Sequence, residues 1–438
     1  MSPAPDLPDR IVVVGASAAG LSAVEGLRAN GFDGPLTLLG AEAQLPYDRP
    51  PLSKQLLQGA WEPSRLELRG QAALAALELD LRIGRPASAL HTGRRELLLH
   101  TGERLRYRAL VIATGSTPRL LPGASAAQSP AQSPARSPEQ GPVQGPVQGT
   151  YTLRTLEDAL ALRRTLRPGR RLVIVGSGFI GNEVAAVARE LGVEVTLVSS
   201  TRTPLSDAVG DEIGAFLART HREHGVRLHT GVRARRVLVE EGRTCGVELQ
   251  DGTALPADAV LIAIGADPTV GWLAGSGLTI GDGVHCDATL CAGPGVWAAG
   301  DVACWTHPRT GLPTRIEHRT NAAEQGLAVA RNILAPPGGA EVFDPVPYVW
   351  SDLYGLRVQM YGRTRGADEI RVVEGSTQAG ALVALCRVNG LVGGVIGVNL
   401  PRQTRNSRAL VAQQTPWDEA VGSGGTDPAE PRATLGAR

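Results

Sequence analysis

Two glycine-rich stretches determine the fold: residues 11–20 read IVVVGASAAG, and residues 172–181 read LVIVGSGFIG. In each, a β-branched run ends at a glycine and is followed by helical spacing, which predicts a strand, a tight turn and a helix. The first glycine permits the turn, a small middle residue lets backbone approach a pyrophosphate, and the third glycine lets the helix pack on the strand. Because a helix N-terminus attracts phosphate, the chain is predicted to bind two dinucleotides.

The two turns differ in their acidic partners. In the first, Ser17 is the small middle residue, and Glu42, just after the strand predicted at 35–39, is the candidate partner for ribose. The same residues also match a hydrolase nucleophile elbow around Ser17, although no oxyanion element accompanies it. In the second, Ser199 ends the next strand where an NAD site usually has an acid, and Arg202 follows. The sequence therefore favours neither NADH nor NADPH as the coenzyme.

Composition excludes several classes of protein. The 438 residues are 42% hydrophobic, which favours two or three globular domains over a disordered chain. A net charge of +1 lacks the field of a general nucleic-acid binder, so we expect no nucleic-acid partner. The apolar run near the start has four residues, too few for a signal peptide or a membrane span. We expect a cytoplasmic protein with no membrane partner.

The five cysteines form no C-x-x-C pair, and none precedes residue 245. This argues against disulfide reductases and related peroxidases, which need redox-active cysteines. Cys286 and Cys291 lack further ligands of the kind zinc requires, so we predict no metal site. His221, His224 and His307 are predicted to be solvated side chains.

The order of predicted elements and a Pro- and Ser-rich repeat divide the chain. The predicted segments are a first nucleotide-binding segment (1–123), a disordered linker insert (124–149), a second nucleotide-binding segment (150–255), a segment of further strands and a helix (256–338), a β-rich C-terminal domain (339–417) and a disordered tail (418–438).

Further motifs follow in fixed order: YDRPPLSK at 47–54, ATGSTP at 113–118, LRTLED at 153–158, AAGD at 298–301 and WSD at 350–352. With the two glycine turns, they make the chain similar, almost end to end, to the FAD-containing, NAD(P)H-dependent ferredoxin reductases. These are enzymes of the putidaredoxin reductase and biphenyl dioxygenase reductase type, which are relatives of apoptosis-inducing factor. The resemblance implies an α/β fold of the glutathione reductase kind, with two Rossmann-like domains and a C-terminal α+β domain. It assigns residues 1–123 and 256–338 to two parts of an FAD-binding domain, and residues 150–255 to an NAD(P)-binding domain.

The resemblance also implies site residues. Lys54, the single lysine of the chain, is expected to face Glu183 as the catalytic pair. The residues implied for FAD are Gly15, Ser17, Ala18, Ala19, Gly20, Glu42, Arg49, Lys54, Ala87, Ala113, Thr114, Gly115, Arg154, Asp301 and Arg319. Those implied for NAD(P)H are Gly176, Gly178, Phe179, Ile180, Gly181, Glu183, Ser199, Arg202 and Gly265. Arg319 departs from the family, which often has an aromatic residue there.

The implied partner is a [2Fe–2S] ferredoxin or a rubredoxin that supplies an oxygenase such as a cytochrome P450 or a ring-hydroxylating dioxygenase. We expect a transient, electrostatic interface, for which Arg402, Arg405 and Arg408 are candidates. The alternatives are a redox-gated binding protein like apoptosis-inducing factor, and an NAD(P)H oxidase or quinone reductase. A monomer and a homodimer are both compatible with the sequence.

Overall fold

The computed structural model describes residues 9–124 and 147–422. Most of the predicted linker, 125–146, and residues 423–438 of the predicted tail lie outside these ranges. The linker's two ends are packed, because Ala124 and Val147 are buried. Within the described ranges, no helix combines the length and apolarity that crossing a membrane requires.

The first segment builds a parallel sheet around the first glycine turn. β1 pairs with β2 and β7, and its four residues are fully buried between layers of apolar side chains. Such near-continuous burial is typical of a parallel sheet covered on both faces. The elements are β1 Ile11–Val14, α1 Ala18–Ala29, β2 Leu36–Leu39, α2 Gln55–Gln58, α3 Gln71–Ala75, β3 Asp80–Arg82, β4 Ala87–His91, β5 Glu96–Leu99, β6 Arg104–Arg106, β7 Ala109–Ile112 and β8 Ser116–Pro118.

The second segment repeats this plan around the second glycine turn. Its five-stranded parallel sheet has the order β12-β11-β10-β16-β9, and a three-stranded antiparallel sheet of β13, β14 and β15 packs beside it. The elements are β9 Thr150–Tyr151, α4 Leu156–Thr165, β10 Arg171–Val175, α5 Phe179–Glu190, β11 Glu194–Ser199, α6 Ser206–Glu223, β12 Arg227–Thr230, β13 Ala234–Glu240, β14 Arg243–Leu249, β15 Ala254–Pro256 and β16 Ala259–Ile262.

The chain then returns to the first domain. β21 adds to β7, so that the first sheet has the order β20-β21-β7-β1-β2-β3, while β17 pairs with β8. The elements are β17 Ala266–Pro268, β18 Ile280–Gly281, β19 Gly283–Cys286, β20 Cys291–Gly293, β21 Val296–Ala298, β22 Ala303–Thr306, β23 Pro313–Thr314 and α7 Arg319–Leu334. The predicted boundary at 255/256 is wrong, because β16 still belongs to the second sheet and the return begins at β17.

The C-terminal segment is an antiparallel sheet of order β24-β25-β28-β27-β26, with a helix against it. The elements are β24 Tyr348–Leu353, β25 Leu356–Gly362, β26 Glu369–Ser376, β27 Ala381–Val388, β28 Leu391–Val398, α8 Pro401–Ala412 and α9 Trp417–Val421. The predicted start of the disordered tail at 418 is wrong, because α9 is anchored by Trp417, which is only 3% exposed. The predicted fold class is confirmed: two Rossmann-like domains and a third, C-terminal α+β domain.

Candidate functional site

A cavity of about 640 Å³ lies where the three domains meet. Ser17 and Ala19 of the first glycine turn line it, and so do Gly176 and Gly178 of the second. Trp350, from the C-terminal sheet, lines it as well. Each turn follows the carboxyl end of a parallel strand, where ligands bind in open α/β sheets. The fold thus brings both predicted dinucleotide turns to one cavity.

The first glycine of each turn is required by the backbone. Gly15 has φ +121° and Gly176 has φ +108°, a region that side chains disfavour. A Cβ on Gly15 would also lie 2.0 Å from the carbonyl oxygen of Ala113, and one on Gly176 would lie 2.2 Å from that of Ala263. Each glycine therefore allows its turn to press against a neighbouring strand end.

The helices that follow the two turns begin at the cavity without a side-chain cap. The N-cap residues are Ser17 for α1 and Gly178 for α5, and neither makes a side-chain cap. Neither helix has an acidic residue in its first turn. α4, whose N-cap residue is Thr155, instead has a complete capping box. Uncapped N-termini bind phosphate through N–H groups and the helix dipole, so both turns fit the pyrophosphate of a dinucleotide.

The structure brings most of the predicted site residues to this cavity. Those that line it are Ser17, Ala18, Ala19, Arg49, Lys54, Ala113, Gly115, Arg154, Gly176, Gly178, Phe179, Ile180, Glu183, Ser199, Gly265, Asp301 and Arg319. Those that it does not place in the lining are Gly15, Gly20, Glu42, Ala87, Thr114, Gly181 and Arg202. Arg202 is exposed on the turn after β11, and Ala87 begins β4 in a separate small sheet.

Lys54 and Glu183 form a buried ion pair at the cavity. The Lys54 Nζ lies 2.7 Å from the Glu183 Oε2, and the side chains are 11% and 4% exposed. Glu183 also accepts hydrogen bonds from the hydroxyls of Ser53 and Ser351, the latter at 2.7 Å from Oε1. The carboxylate, which belongs to the second domain, is thereby fixed by residues from the other two domains, and its two oxygens are both engaged.

A second polar cluster lies beside the first turn. The Arg49 guanidinium donates to Glu42 at 2.6 Å, and Glu42 also accepts from the buried hydroxyl of Tyr47. Burial opposes the positive charge of Arg49, but Tyr47 and Glu42 outweigh it and raise the pKa of Arg49. Glu42 is therefore engaged by protein side chains rather than placed in the cavity. Nearby, Arg154 donates to Asp301 at 2.9 Å.

Arg319 begins α7 at the cavity wall. Its guanidinium forms an ion pair with Asp48. The neighbouring residue, His318, has a buried Nδ1 with no hydrogen-bond partner among the described residues. Burial lowers the pKa of His318 to about 4, an effect that the Asp301 carboxylate opposes. An orphaned polar atom of this kind is expected where a polar ligand supplies the partner.

Aromatic side chains close the cavity on the side of the C-terminal sheet. Trp350 stacks on Tyr348 with ring centroids 5.7 Å apart and an angle of 18° between planes. Tyr348 in turn lies 4.7 Å from Tyr361 on the neighbouring strand. The three rings form a continuous path from the cavity wall toward α8.

One sequence-based prediction about a side chain outside the cavity is wrong. His221, predicted to be solvated, is 0% exposed, because Asn182 and Tyr354 hydrogen-bond both ring nitrogens inside the protein. Burial raises the pKa of the Cys286 thiol. Within the described residues, His, Cys, Asp and Glu side chains form no group of three suited to a metal.

Sequence reasoning missed several residues of the site. Ser53 and Ser351 both lie inside motifs that point to the family, PPLSK and WSD, yet of these two motifs only Lys54 was assigned a role. Asp48 lies in the same way beside Arg49 in YDRP. The signal was present in the motifs, but hydrogen bonds to Glu183 and Arg319 span distant segments and leave no local pattern.

Ser17 has extended backbone, with φ −132° and ψ −158°, rather than the strained turn of a hydrolase nucleophile. Two dinucleotide turns that share one cavity instead define a flavin-dependent oxidoreductase that uses a pyridine nucleotide. The family model "Pyridine nucleotide-disulphide oxidoreductase" matches residues 9–326, and "Reductase C-terminal" matches residues 348–428. The chain belongs to the pyridine nucleotide-disulphide oxidoreductase family.

Relatives and solved structures agree with this assignment. The chain is 35% identical to the biphenyl dioxygenase system ferredoxin–NAD(+) reductase component of Paraburkholderia xenovorans (strain LB400), over 92% of this chain and 93% of that protein. It is 32% identical to rhodocoxin reductase of Rhodococcus erythropolis, over 93% of this chain and 90% of that protein. The crystal structure of a covalent putidaredoxin reductase–putidaredoxin complex matches with a TM-score of 0.84 and 32% identity, covering 94% of each chain.

Proposed function

We propose that this chain transfers electrons from NAD(P)H through FAD to a [2Fe–2S] ferredoxin, which supplies an oxygenase such as a cytochrome P450 or a ring-hydroxylating dioxygenase. The observation that carries the proposal is the cavity where the three domains meet. Two uncapped helix N-termini open into one cavity, and the buried pair Lys54 and Glu183 lies between the domains that carry them. The relatives named as ferredoxin reductase components support the choice of acceptor.

The first turn, with Arg49 and Arg154, would hold FAD, and the second turn would hold the pyridine nucleotide. When bound, FAD accepts a hydride from the nicotinamide and releases its electrons one at a time. Lys54 supplies a fixed positive charge at the junction, and Glu183 holds that charge in place. A preorganised charge in a site shielded from water stabilises the negative charge that develops during the transfer. The pair would therefore act as the catalytic pair.

Cysteines take no part in this transfer. None of the five lies among the residues that line the cavity, although the family name refers to disulfide chemistry. Electrons therefore pass from the flavin directly to an external carrier. The aromatic path of Trp350, Tyr348 and Tyr361 gives that carrier a place to approach.

We propose that the carrier docks over α8. Arg402, Arg405 and Arg408 are exposed on this helix. Arg405 and Arg408 lie close enough to Tyr361 to oppose the rise in its pKa that burial produces. The basic surface thus adjoins the end of the aromatic path, as a transient electrostatic interface with an acidic carrier would require. A rubredoxin is the alternative carrier.

Charge reversal tests the docking surface. The double variant Arg405→Glu, Arg408→Glu should raise the KM for ferredoxin at least tenfold and weaken its dependence on salt, while NAD(P)H still reduces the flavin at the unaltered rate. Arg170→Glu, an exposed change in the second domain, serves as the control. Equal KM values in the double variant and the control would reject the surface.

The function itself is tested by anaerobic stopped-flow mixing of the FAD-loaded protein with NADH and, separately, NADPH. Bleaching of the flavin at about 1–10³ s⁻¹ with one coenzyme, followed by rapid reoxidation by ferredoxin, is the expected result. Slow bleaching by both would favour a redox-gated binding protein instead. Rapid NAD(P)H consumption in air without a carrier would favour an oxidase or quinone reductase. A cytoplasmic location and a monomeric or dimeric state stay predictions.

A further inference from the structure

A buried chain of hydrogen bonds connects the C-terminal domain to the second glycine turn. Tyr354 lies in the turn between β24 and β25, His221 lies on α6, and Asn182 lies in the first turn of α5. The Tyr354 hydroxyl is 3.0 Å from the His221 Nδ1, and the His221 Nε2 is 2.8 Å from the Asn182 Oδ1. His221 and Asn182 are both 0% exposed. None of the three lines the cavity.

The direction of each hydrogen bond follows from its partners. The Asn182 Nδ2 donates to the carbonyl oxygens of Ser177 and Gly178, at 2.7 and 2.8 Å. These bonds use both amide hydrogens, so Oδ1 is the acceptor that faces His221. The His221 Nε2 must then carry the ring proton, which leaves Nδ1 as the acceptor of the Tyr354 hydroxyl. Every donor in the chain therefore has one acceptor, and no member can rotate without losing a bond.

His221 and Tyr354 are held independently of the nucleotide turn. Burial lowers the pKa of His221 to about 4, with a smaller contribution from His224, so the ring is neutral near pH 7. The His224 ring stacks on Tyr354 with centroids 3.9 Å apart. Tyr354 itself has φ +50° and is followed by Gly355 at +76°, which makes the hairpin turn tight.

The chain of bonds sets the orientation of two peptide groups in the turn. A trans peptide directs its carbonyl oxygen and the following N–H to opposite sides. Because Asn182 binds the carbonyls of Ser177 and Gly178, the N–H groups of Gly178 and Phe179 point away from Asn182. Gly178 and Phe179 both line the cavity, and a Cβ on Gly178 would meet nothing within 4 Å. We infer that the N–H groups of Gly178 and Phe179 lie on the side of the turn that faces the cavity.

We propose that Tyr354, His221 and Asn182 are positioning residues that orient the second glycine turn for the pyrophosphate of a pyridine dinucleotide. Through them, nucleotide affinity depends on the C-terminal domain, although that domain supplies no group to the pyrophosphate. The inference rests on the proposed function only in assigning the pyridine nucleotide to this turn.

The test removes one hydroxyl from the chain of bonds. In the FAD-loaded full-length protein, Tyr354→Phe should weaken NAD+ and NADP+ binding about three- to tenfold, the loss expected for one buried hydrogen bond. It should raise the KM for NAD(P)H by a similar factor with kcat retained. Tyr151→Phe is the matched control. The Tyr151 hydroxyl hydrogen-bonds to Thr165 in the domain that carries the second glycine turn, but this bond does not involve the turn.

A second readout is independent of turnover. Amide hydrogen exchange of residues 176–181 should be faster in Tyr354→Phe than in the unaltered protein and unchanged in Tyr151→Phe. His221→Leu should have the larger effect on exchange, and His221→Gln, which restores a donor to Asn182, should have a smaller one. Unchanged affinity and exchange in Tyr354→Phe, or equal changes in Tyr151→Phe, would overturn the inference. Failure of the unaltered protein to bind either dinucleotide would reject the proposed function, while exchange would still decide the positioning role.

Discussion

Replacement of Lys54 by methionine should destabilise the FAD-loaded protein more than removal of any surface cation. Lys54 Nζ lies 2.7 Å from Glu183, and both side chains are almost fully buried. Removing one partner of such a pair costs about 3–5 kcal/mol, because a charge stays buried without compensation. We expect the lower end, about 3 kcal/mol, since the hydroxyls of Ser53 and Ser351 still donate to the carboxylate.

The measurement is the thermal unfolding midpoint of Lys54→Met, Glu183→Gln and the double variant, compared as a double-mutant cycle. Unfolding is monitored by the flavin fluorescence that appears when FAD is released. A change of 1 kcal/mol moves the midpoint of a domain of about 150–250 residues by about 2–4 °C, so Lys54→Met should lower it by at least about 6 °C. The double variant no longer contains a buried charge and should lose less than the sum of the single variants, by about 2 kcal/mol.

Arg104→Met is the matched control for loss of a cation. Arg104 pairs with Glu96 at 3.2 Å, but its side chain is 63% exposed, and such pairs contribute about 0–1 kcal/mol. Additive midpoint shifts in the cycle, or a Lys54→Met shift no larger than that of Arg104→Met, would refute the reasoning. In the same variants, NAD(P)H oxidation with ferricyanide should slow at least tenfold in Lys54→Met if the charge also serves the transfer.

Three further outcomes are expected. Ser199→Glu should shift the ratio of kcat/KM for NADH over NADPH at least tenfold toward NADH. A carboxylate at the end of β11 would accept a hydrogen bond from the ribose 2′-hydroxyl of NADH and repel the 2′-phosphate of NADPH. An unchanged ratio would show that this position does not distinguish the two coenzymes. Ser351→Ala leaves one oxygen of Glu183 without a donor and should cost about 1–3 kcal/mol, seen as a lower thermal midpoint than in the unaltered protein. His221, whose pKa falls from 6.5 to about 4 on folding, should make the protein less stable as pH drops from about 6.5 to 4, by up to about 3 kcal/mol, since only the unfolded chain gains the proton in that window. The fall in midpoint between pH 7 and pH 4.5 should therefore be smaller in His221→Gln.

The two nucleotide-binding units could be predicted from sequence because their signal is local. A β-branched run, a glycine turn and a helical pattern lie within about twenty residues, and the physical reason for each glycine is contained in that stretch. The structure places Gly15 and Gly176 at positive φ against a neighbouring strand end, as that reasoning requires. The motifs further along the chain extended the prediction to a third domain.

Domain boundaries were less predictable, because sheet membership is not a local property. β16 and β17 are short strands three residues apart, and nothing in their sequences shows that the first joins β10 and the second joins β8. Trp417 illustrates the same limit at the C-terminus. It ends the predicted ordered domain, yet Ala420 and Val421 beyond it also pack against the apolar cluster that Trp417 forms with β27 and β28, so the ordered chain continues past the predicted boundary.

Polar partners inside the protein were the least predictable of all. His221 looks like a solvated histidine on an amphipathic helix, but its two partners lie 39 and 133 residues away. Glu183 takes its hydroxyl donors from residues 130 before it and 168 after it. Sequence spacing indicated which types of residue the site needs, while the donors that hold them depend on how distant segments meet.

Two of these distant contacts, at His221 and at Glu183, come from the same β-hairpin. Asn182 and Glu183 are adjacent near the start of α5, and both are held from the hairpin of β24 and β25, the first through Tyr354 and His221 and the second directly by Ser351. The same hairpin carries the aromatic rings that lead toward α8. α8 packs against β25 of this hairpin, so a carrier that docks on α8 would be separated by that helix from the element that holds the nucleotide turn and the buried carboxylate.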